Sequence, residues 1–228
     1  MSAIKVLSTL AVMGAMRDLT RQFEAESGAQ VEADFAPTVA LLERLRGGEA
    51  ADIAILTAQG VDDLIREDII RSGTRADVAR SFVGIAVKAG ATKPDLSSVA
   101  TLKASLLSAR CVAYSRIGAS GLYFAELLKR LGIAETVNGK ALIVPSGFTA
   151  ERLVSGEADL AVQQISELMV VPGIEVAGPL PAEVQTVATF SGGLLTEKPQ
   201  AAALLRFLAS PQAVLALRAS GLEPAAKD

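Results

Sequence analysis

The chain has 228 residues, of which 50% are hydrophobic, and its formal net charge at pH 7 is −3. It contains no histidine and one cysteine, which excludes Ser-His-Asp and Cys-His nucleophiles and intramolecular disulfides and leaves no ordinary ligand set for a metal such as zinc. The charge balance and the aromatic content of 4% argue against nucleic acid as a partner, and nothing in the sequence calls for a cofactor.

The first residues, Met1-Ser2-Ala3, lead directly into the apolar run Ile4–Leu7. They lack the charged stretch, the longer apolar stretch and the small-residue cleavage site of a signal peptide. No window approaches about 18 uninterrupted apolar residues, so we expect no membrane insertion. We therefore expect a cytoplasmic protein as the sequence stands, or a periplasmic one if an export signal has been removed.

Strand and helix patterns alternate along the chain, which predicts an α/β fold with mostly parallel sheets. The run Ile4–Leu7 is a strand, and apolar residues at three- and four-residue steps predict a helix from about Met13 to Glu26, ended by Gly28. Further strands are predicted at Val31–Phe35 and Asp52–Leu56, and further helices at Val39–Arg46 and Val61–Arg66.

The apolar strand Phe82–Lys88 follows a polar stretch and is predicted to be the first crossing between two lobes, with Val184–Phe190 crossing back. Lobe I then comprises residues 1–81 and 183–228, and lobe II comprises residues 82–182. Two crossings predict a hinge, and hence lobes that close on a ligand. The remaining predicted elements are strands at Arg110–Tyr114, Ala141–Val144 and Leu160–Gln164 and helices at Val99–Leu107, Gly121–Leu131, Ala150–Ser155, Pro199–Leu208 and Gln212–Ala219.

Four strand-to-helix junctions place small or hydroxyl residues where a helix begins. A helix N-terminus offers unpaired N–H groups and the positive end of the helix dipole, so several such ends can hold an anion without a formal cation. Ordinary capping accounts equally well for any single junction, but recurrence in both lobes predicts an anion-binding cleft between them. The junctions are Leu7–Ala11, Phe35–Thr38, Tyr114–Gly121 and Pro145–Thr149.

The predicted ligand contacts come from these junctions and from the end of the strand Leu160–Gln164. They are Ser8, Thr9, Thr38, Ser115, Arg116, Ser120, Gly121, Ser146, Gln163 and Gln164. Arg116 can grip a carboxylate with two hydrogen bonds, or it can lie in solvent or pair with a nearby acid. The two glutamines can bind a ligand or hold loop backbone. We expect Glu167 to lie in a solvated turn and Cys111 to be a small buried hydrophobe.

Several segments resemble the molybdate-binding solute-receptor family. The resemblance implies a two-lobed periplasmic-binding-protein (type II) fold that holds an oxyanion with hydroxyls and backbone amides. This sequence has Ala11 where the family usually places a serine in the first loop, Thr38 at the second-loop serine and Gln164 at a late tyrosine. The matching segments are the first strand and helix, Phe35–Leu42, Gly48–Ile53, Ser120–Tyr123 and Ser210–Ala213, so the resemblance covers nearly the whole chain.

The segments Gln163–Leu168, Val171–Ile174 and Gly178–Pro181 are similar to a subgroup of this family whose members often lack export signals. The cofactor-free aconitate isomerases are similar to the family as well. One hypothesis is therefore a solute-binding protein for a small oxyanion or organic carboxylate, which passes its ligand to an ABC transporter if it is exported.

The alternative is a cofactor-free isomerase that shifts a proton within an unsaturated di- or tricarboxylate. Such an enzyme needs a base and donors for the developing negative charge. Because the chain has no histidine, the candidate bases are Tyr114, Tyr123, Glu167 or a hydroxyl group. A ligand sensor without turnover ranks third.

Overall fold

The computed structural model describes residues 3–225 of the chain. These residues fold into two compact units. Of the described residues, 3–81 and 188–225 form unit 1, and unit 2 is Phe82–Val187. The sequence predicted these boundaries near residues 82 and 182. In the structure the first boundary lies between Ser81 and Phe82, and the second lies after Val187, later in the chain than predicted.

Strands and helices alternate through both units. The strands are β1 (Ile4–Thr9), β2 (Val31–Ala36), β3 (Ile53–Thr57), β4 (Ala76–Lys88), β5 (Val112–Ser115), β6 (Ala141–Val144), β7 (Leu160–Gln164), β8 (Ile174–Pro179), β9 (Val187–Leu194) and β10 (Glu223–Pro224). The helices are α1 (Met13–Ser27), α2 (Thr38–Arg46), α3 (Ala58–Arg66), α4 (Val99–Ser108), α5 (Ala119–Arg130), α6 (Ala134–Asn138), α7 (Glu151–Val154), α8 (Ile165–Leu168), α9 (Pro199–Leu208) and α10 (Val214–Ala219). Short 3-10 helices lie at Leu10–Val12, Ala182–Val184 and Pro211–Ala213.

The strand pairing is mixed. Parallel pairing is present where strands alternate with helices, between β1 and both β2 and β3, and between β5 and both β6 and β7. The strands β4 and β9 depart from it, because β9 is antiparallel to β3 and β4 is antiparallel to β7, β8 and β10. The elements α6, α8 and β8 were not predicted, since each has six residues or fewer and so shows little periodicity.

In unit 1, the strand β3 is buried on both faces. Ile53 and Ile55 pack with α1, α9 and α10, whereas Ala54 and Leu56 pack on the other face with α2 and α3. This alternation follows from the two-residue period of a strand and explains why the run is uniformly apolar. The helix α1 ends at Gly28, whose φ of 68° lies in the left-handed region that glycine adopts without strain.

In unit 2, the strand β5 lies between two apolar clusters, one on each face of the sheet. Val112 and Tyr114 pack on the side of α4, α5 and α6, and Ala113 packs on the side of α7 and α8. The ring of Tyr114 meets Phe124 of α5 edge to face, with centroids 5.2 Å apart. These contacts fix α5 against β5 and so position the junction between them.

Within residues 3–225, no single helix is long and apolar enough to cross a membrane. The two helical segments Pro199–Leu208 and Pro211–Ala219 together have the length and composition of a membrane span, but the chain bends by 57° between them. Their apolar side chains Leu204, Leu208 and Leu217 are buried in the core of unit 1.

Asp52 joins three parts of unit 1. Its carboxylate accepts hydrogen bonds from the backbone N–H of Lys5 at 2.9 Å, the hydroxyl of Thr196 at 2.9 Å and the ammonium of Lys198 at 3.3 Å. Burial of Asp52 opposes ionisation, but these donors outweigh it, and the pKa of the carboxyl lies below its ordinary value of 3.8. The aspartate that follows Gly48-Glu49-Ala50-Ala51 therefore holds β1 and the segment before α9 together.

We expect Asp52→Asn to lower the free energy of unfolding by about 1–3 kcal/mol at pH 7, because hydrogen bonds to a charged acceptor are lost. A lowered folded-state pKa stabilises the fold above the unfolded pKa, and this stabilisation is lost as the pH falls through the folded value. The difference between wild type and variant in urea denaturation should therefore shrink below about pH 4.

The matched control is Asp18→Asn, since the Asp18 side chain is 72% exposed and its contact with Arg21 is 3.8 Å long. That change should cost less than about 0.5 kcal/mol. An equal effect of the two substitutions would contradict the role given to Asp52.

Candidate functional site

Unit 2 brings three of its predicted segments to one edge of its sheet. The strand β5 pairs in parallel with β6 on one side and β7 on the other. The carboxyl ends of parallel strands lie at the same edge, where ligands of open α/β sheets usually bind. The junctions that follow β5, β6 and β7 therefore neighbour one another, and they carry the unit 2 residues selected from the sequence.

The junction after β5 contains Ser115 and Ser120, which are 7% and 3% exposed. The hydroxyl of Ser115 accepts a hydrogen bond from the N–H of Ile117 at 3.2 Å, so it shapes the turn. The helix α5 begins after Gly118, which has no side chain to cap it. The first N–H groups of this 12-residue helix thus lack a side-chain partner from the N-cap position.

Gly121 allows this junction to be tight. A Cβ at Gly121 would lie 1.8 Å from the carbonyl oxygen of Ser115, far closer than any real contact. Only glycine lets the first turn of α5 lie directly against the end of β5. The close approach positions Ser120 and the free N–H groups of the helix beside Ser115.

Arg116 is exposed and rests on Tyr114. Its Nε and Nη2 donate to the Tyr114 hydroxyl at 3.3 and 3.2 Å, and its guanidinium carbon lies 5.8 Å from the centroid of the ring. Among the described residues it forms no salt bridge, which leaves its charge available to an anionic ligand. Asn138, which no sequence pattern singled out, accepts the hydroxyl proton of Tyr114 at 2.5 Å.

Gln163 holds the loop after β6. Its Oε1 accepts from both the N–H and the hydroxyl of Thr149, at 2.8 and 3.0 Å, and its Nε2 donates to the carbonyl oxygen of Gly147 at 3.2 Å. The sequence left two roles open for Gln163, binding a ligand or holding loop backbone, and in the structure its side chain holds loop backbone. Thr149 is fully buried by this contact, whereas Ser146 in the same loop is exposed.

Gln164 differs from its neighbour. Its side chain is 2% exposed and caps the start of α8 reciprocally with Glu167, but its buried Oε1 forms no hydrogen bond of normal geometry among the described residues. An unsatisfied buried polar atom costs about 1–3 kcal/mol, and it commonly marks a place where a ligand or water belongs. Since a half-turn of the amide exchanges its oxygen and nitrogen, Gln164 can offer either an acceptor or a donor.

The expectation that Glu167 lies in a solvated turn is wrong. The short helix α8 folds its carboxylate back onto the N–H of Gln164 at 3.2 Å, and the residue is 8% exposed. Burial raises the pKa of the Glu167 carboxyl to about 7, against the opposing hydrogen bonds of the Gln164 N–H and the Gln163 side chain. A four-residue helix has too little periodicity to be recognised from sequence, so its inward face was missed.

The other candidate bases are engaged. Tyr123 donates its hydroxyl proton to the carbonyl oxygen of Val184 at 2.6 Å and accepts from Arg130 at 2.9 Å. Tyr114 donates to Asn138 in the same way. Each hydroxyl thus donates its proton to a fixed acceptor and accepts a hydrogen bond from a guanidinium, so it is poorly placed to remove a proton from a substrate. Cys111 is half-buried rather than buried.

Unit 1 offers a second set of hydroxyls. Ser8 and Thr9 end β1 and are 0% and 4% exposed, and Thr38 opens α2 after β2 with 9% exposure. Because β1 and β2 are parallel, these residues also share one sheet edge. The Ser8 hydroxyl donates to the carbonyl oxygen of Thr9 at 3.3 Å, a long bond. Ala11 is buried and contributes no hydroxyl.

A cavity of about 550 Å³ lies elsewhere in unit 2, beside the opposite ends of β5 and β7. Its lining includes Arg110, which pairs with Asp159 at 2.9 Å, and Lys93, which pairs with Glu175 at 3.0 Å. These two charges are already neutralised by acids, and Lys88, which also lines the cavity, donates to the carbonyl oxygen of Val154 at 3.4 Å. The size of the cavity therefore does not make it the better anion site.

Known proteins resemble this chain over most of its length. The sequence model of the bacterial extracellular solute-binding protein family matches residues 4–223. Aconitate isomerase from Pseudomonas sp is 34% identical over 98% of this chain and 88% of that protein. The molybdate-binding protein ModA of Escherichia coli (strain K12) is 28% identical over 79% of this chain and 72% of that protein.

Among solved structures, the periplasmic molybdate-binding protein of Azotobacter vinelandii matches with a TM-score of 0.80 at 20% identity, over 96% of this chain and 98% of that one. At this identity the match shows a shared fold. The predicted resemblance to the molybdate-binding family and the predicted fold class are thereby confirmed.

We expect Gly121→Ala to lower the free energy of unfolding by at least about 1–3 kcal/mol, because the new Cβ must displace the backbone of Ser115 or of α5. The melting temperature, followed by circular dichroism, should fall by about 2–4 °C for each kcal/mol. Gly118→Ala is the matched control, since a Cβ there meets no atom within 4 Å and the φ of Gly118 is −95°. Similar melting temperatures for the two variants would contradict the close approach.

We expect Glu167→Gln to remove a pH dependence of stability. The carboxyl ionises near 4.5 in an unfolded chain and near 7 in the folded one, so the folded chain holds the extra proton between these values. Wild-type stability should therefore fall, by up to about 3 kcal/mol, as the pH rises from 4.5 to 7 relative to the variant. Urea denaturation across this pH range measures the stability of wild type, of E167Q and of the exposed control E151Q. Parallel curves of stability against pH for wild type and E167Q would refute the prediction.

Proposed function

The chain belongs to the bacterial extracellular solute-binding protein family, and on that premise we propose that it binds a small anion, either an oxyanion or an organic carboxylate. The observation that carries the proposal is the edge of unit 2 where β5, β6 and β7 end. An uncapped helix start, a buried amide with an unsatisfied atom and a guanidinium without an acidic partner belong to the described junctions at this edge. A negatively charged ligand stabilises the helix start and the guanidinium directly. It accepts from the Gln164 amide when a half-turn of that amide presents the Nε2 donor in place of Oε1.

Neutral donors supply most of the proposed binding. In unit 2 they are the first N–H groups of α5 and the side chains of Ser120, Ser146 and Gln164. In unit 1 they are the hydroxyls of Ser8, Thr9 and Thr38. That one ligand is shared by both sets stays a prediction, and substitution of one hydroxyl in each set tests it. Loss of affinity from Ser120→Ala alone would assign the ligand to unit 2.

Arg116 favours a carboxylate over a tetrahedral oxyanion within this proposal. Its guanidinium presents a planar pair of donors that matches the two oxygens of a carboxylate. Tyr114, whose hydroxyl is itself fixed by Asn138, holds it at the junction after β5, so part of the entropy of ordering this long side chain is already lost before a ligand arrives. The similarity to aconitate isomerase, which is named for an organic carboxylate, supports the same preference.

A cofactor-free isomerase is the second candidate, and Glu167 is the observation that favours it. A proton shift in an unsaturated carboxylate removes a proton from one carbon and returns it to another while the double bond moves, so no oxidant or reductant is needed. Tyr114 and Tyr123 already donate their hydroxyl protons, which leaves Glu167 among the named candidates. A carboxyl with a pKa of about 7 is well matched to proton transfer at neutral pH.

The two candidates differ in what else they require. A binding protein of this family would pass its anion to a membrane transporter and must be exported to do so, whereas an enzyme needs neither a transporter nor export. Incubation with trans-aconitate in deuterated water, followed by NMR, separates them. Formation of the cis isomer or incorporation of deuterium supports the isomerase. Binding without either supports the solute-binding protein.

We expect isothermal titration calorimetry to show binding of trans-aconitate, and Arg116→Gln to weaken it by about 10- to 100-fold through the loss of hydrogen bonds from a charged donor. Molybdate binding should change less, because the neutral donors remain. Arg130→Gln is the matched control, since Arg130 also stacks on a tyrosine, Tyr123, and donates to its hydroxyl at 2.9 Å, but it lies at the far end of α5. Failure of wild type to bind any small anion would refute the proposed function.

A further inference from the structure

We infer that Glu167 takes up a proton when an anion binds at the junctions of unit 2, so that anion binding and proton binding are coupled. The inference rests on the proposed function and adds a role that neither anion binding nor the fold requires. It makes Glu167 a positioning and proton-binding residue behind the ligand.

Glu167 is buried without a countercharge. Within residues 3–225 no charged side chain contributes to its ionisation, and its carboxylate is held by the N–H of Gln164 and the side chain of Gln163. A buried carboxylate without a cation is costly, because burial penalises the charged form. This cost keeps the pKa of Glu167 at about 7, where a modest further charge decides its protonation.

The elements packed around α8 supply few charges. The strand β7 carries none, and β8 carries Glu175, which is held by Lys93 at 3.0 Å. The helix α7 carries Glu151 and Arg152, and Arg152 pairs with Glu157 at 3.1 Å. Both cations, Lys93 and Arg152, thus have acidic partners.

The strand β4 also packs against α8, since a Cβ at Gly84 would meet Ile165. It carries Lys88, which donates to the carbonyl oxygen of Val154 at 3.4 Å and lies five residues along β4 from Val83, the partner of Gln164. None of these cations therefore takes the place of a proton on Glu167.

Hydrogen bonds connect Glu167 to the donor loops. Its carboxylate accepts from the backbone N–H of Gln164, whose side-chain Oε1 has no hydrogen-bond partner among the described residues, and it also contacts Gln163. Gln163 in turn braces Gly147 and Thr149, which follow Ser146 in the loop after β6. Glu167 therefore stands behind both the junction after β7 and the junction after β6.

A bound anion repels the ionised carboxylate of Glu167. Two unit negative charges about 10 Å apart, at an effective dielectric constant of about 20, raise the pKa of a carboxyl by about one pH unit. A bound anion therefore moves Glu167 from mostly ionised to mostly protonated near pH 7.5, and the proton comes from the buffer.

The test is isothermal titration calorimetry with molybdate and with trans-aconitate at pH 7.5 in HEPES, imidazole and Tris, whose ionisation enthalpies differ. The dependence of the observed enthalpy on the buffer gives the number of protons taken up. We expect about half a proton for wild type, for a rise of about one pH unit, and close to none for Glu167→Gln. Glu151→Gln, which removes an exposed carboxyl from the neighbouring helix α7, should keep the wild-type value.

Each result bears on the inference. Anion binding by wild type without proton uptake overturns it and leaves the proposed function intact, and uptake that persists in E167Q overturns it by assigning the proton to another group. If neither anion binds, the proposed function and the inference fail together. If E167Q does not fold, the wild-type profile decides alone, because uptake must be largest between about pH 7 and 8 and nearly absent at about pH 5.5. A flat profile overturns the inference.

Discussion

In unit 2, β5 pairs in parallel with β6 on one side and with β7 on the other, so the chain leaves all three strands at the same edge. The candidate site depends on this pairing, because residues from three separate segments become neighbours only when their strands share a direction. The burial of both faces of β5, against α5 on one side and α7 and α8 on the other, holds the pairing in place. The charged and polar groups at the edge are then arranged by short-range contacts.

Those contacts divide the polar residues of the edge into two kinds. Gln163 and Thr149 satisfy each other and shape a loop, and the Ser115 hydroxyl supports its own turn. Gln164 and Arg116 are left with bonding capacity that the described part of the chain does not use. An anion site needs both kinds, since open donors bind tightly only when other groups hold them in position and limit the entropy lost on binding.

Glu167 adds a negative charge to a site proposed to attract anions. The arrangement is consistent if the carboxyl is protonated when the ligand is present, and burial without a cation is what makes that protonation accessible near neutral pH. In the proposed solute-binding protein this carboxyl would make the affinity depend on pH, and in the proposed isomerase it would take part in proton transfer. The candidate functions therefore share one set of residues and differ in what the proton on Glu167 does.

The sequence by itself determined the alternation of strands and helices, most of their bounds and the hydroxyl residues at the junctions, because periodicity and capping are local properties of the chain. It also excluded histidine chemistry outright. Only the tertiary structure decided that Gln163 braces a loop while Gln164 does not, that Tyr114 gives its proton to Asn138, and that Glu167 is buried. These outcomes depend on which residues distant in the sequence come into contact and on how completely they are buried from water. The spacing of residues along the chain predicts neither.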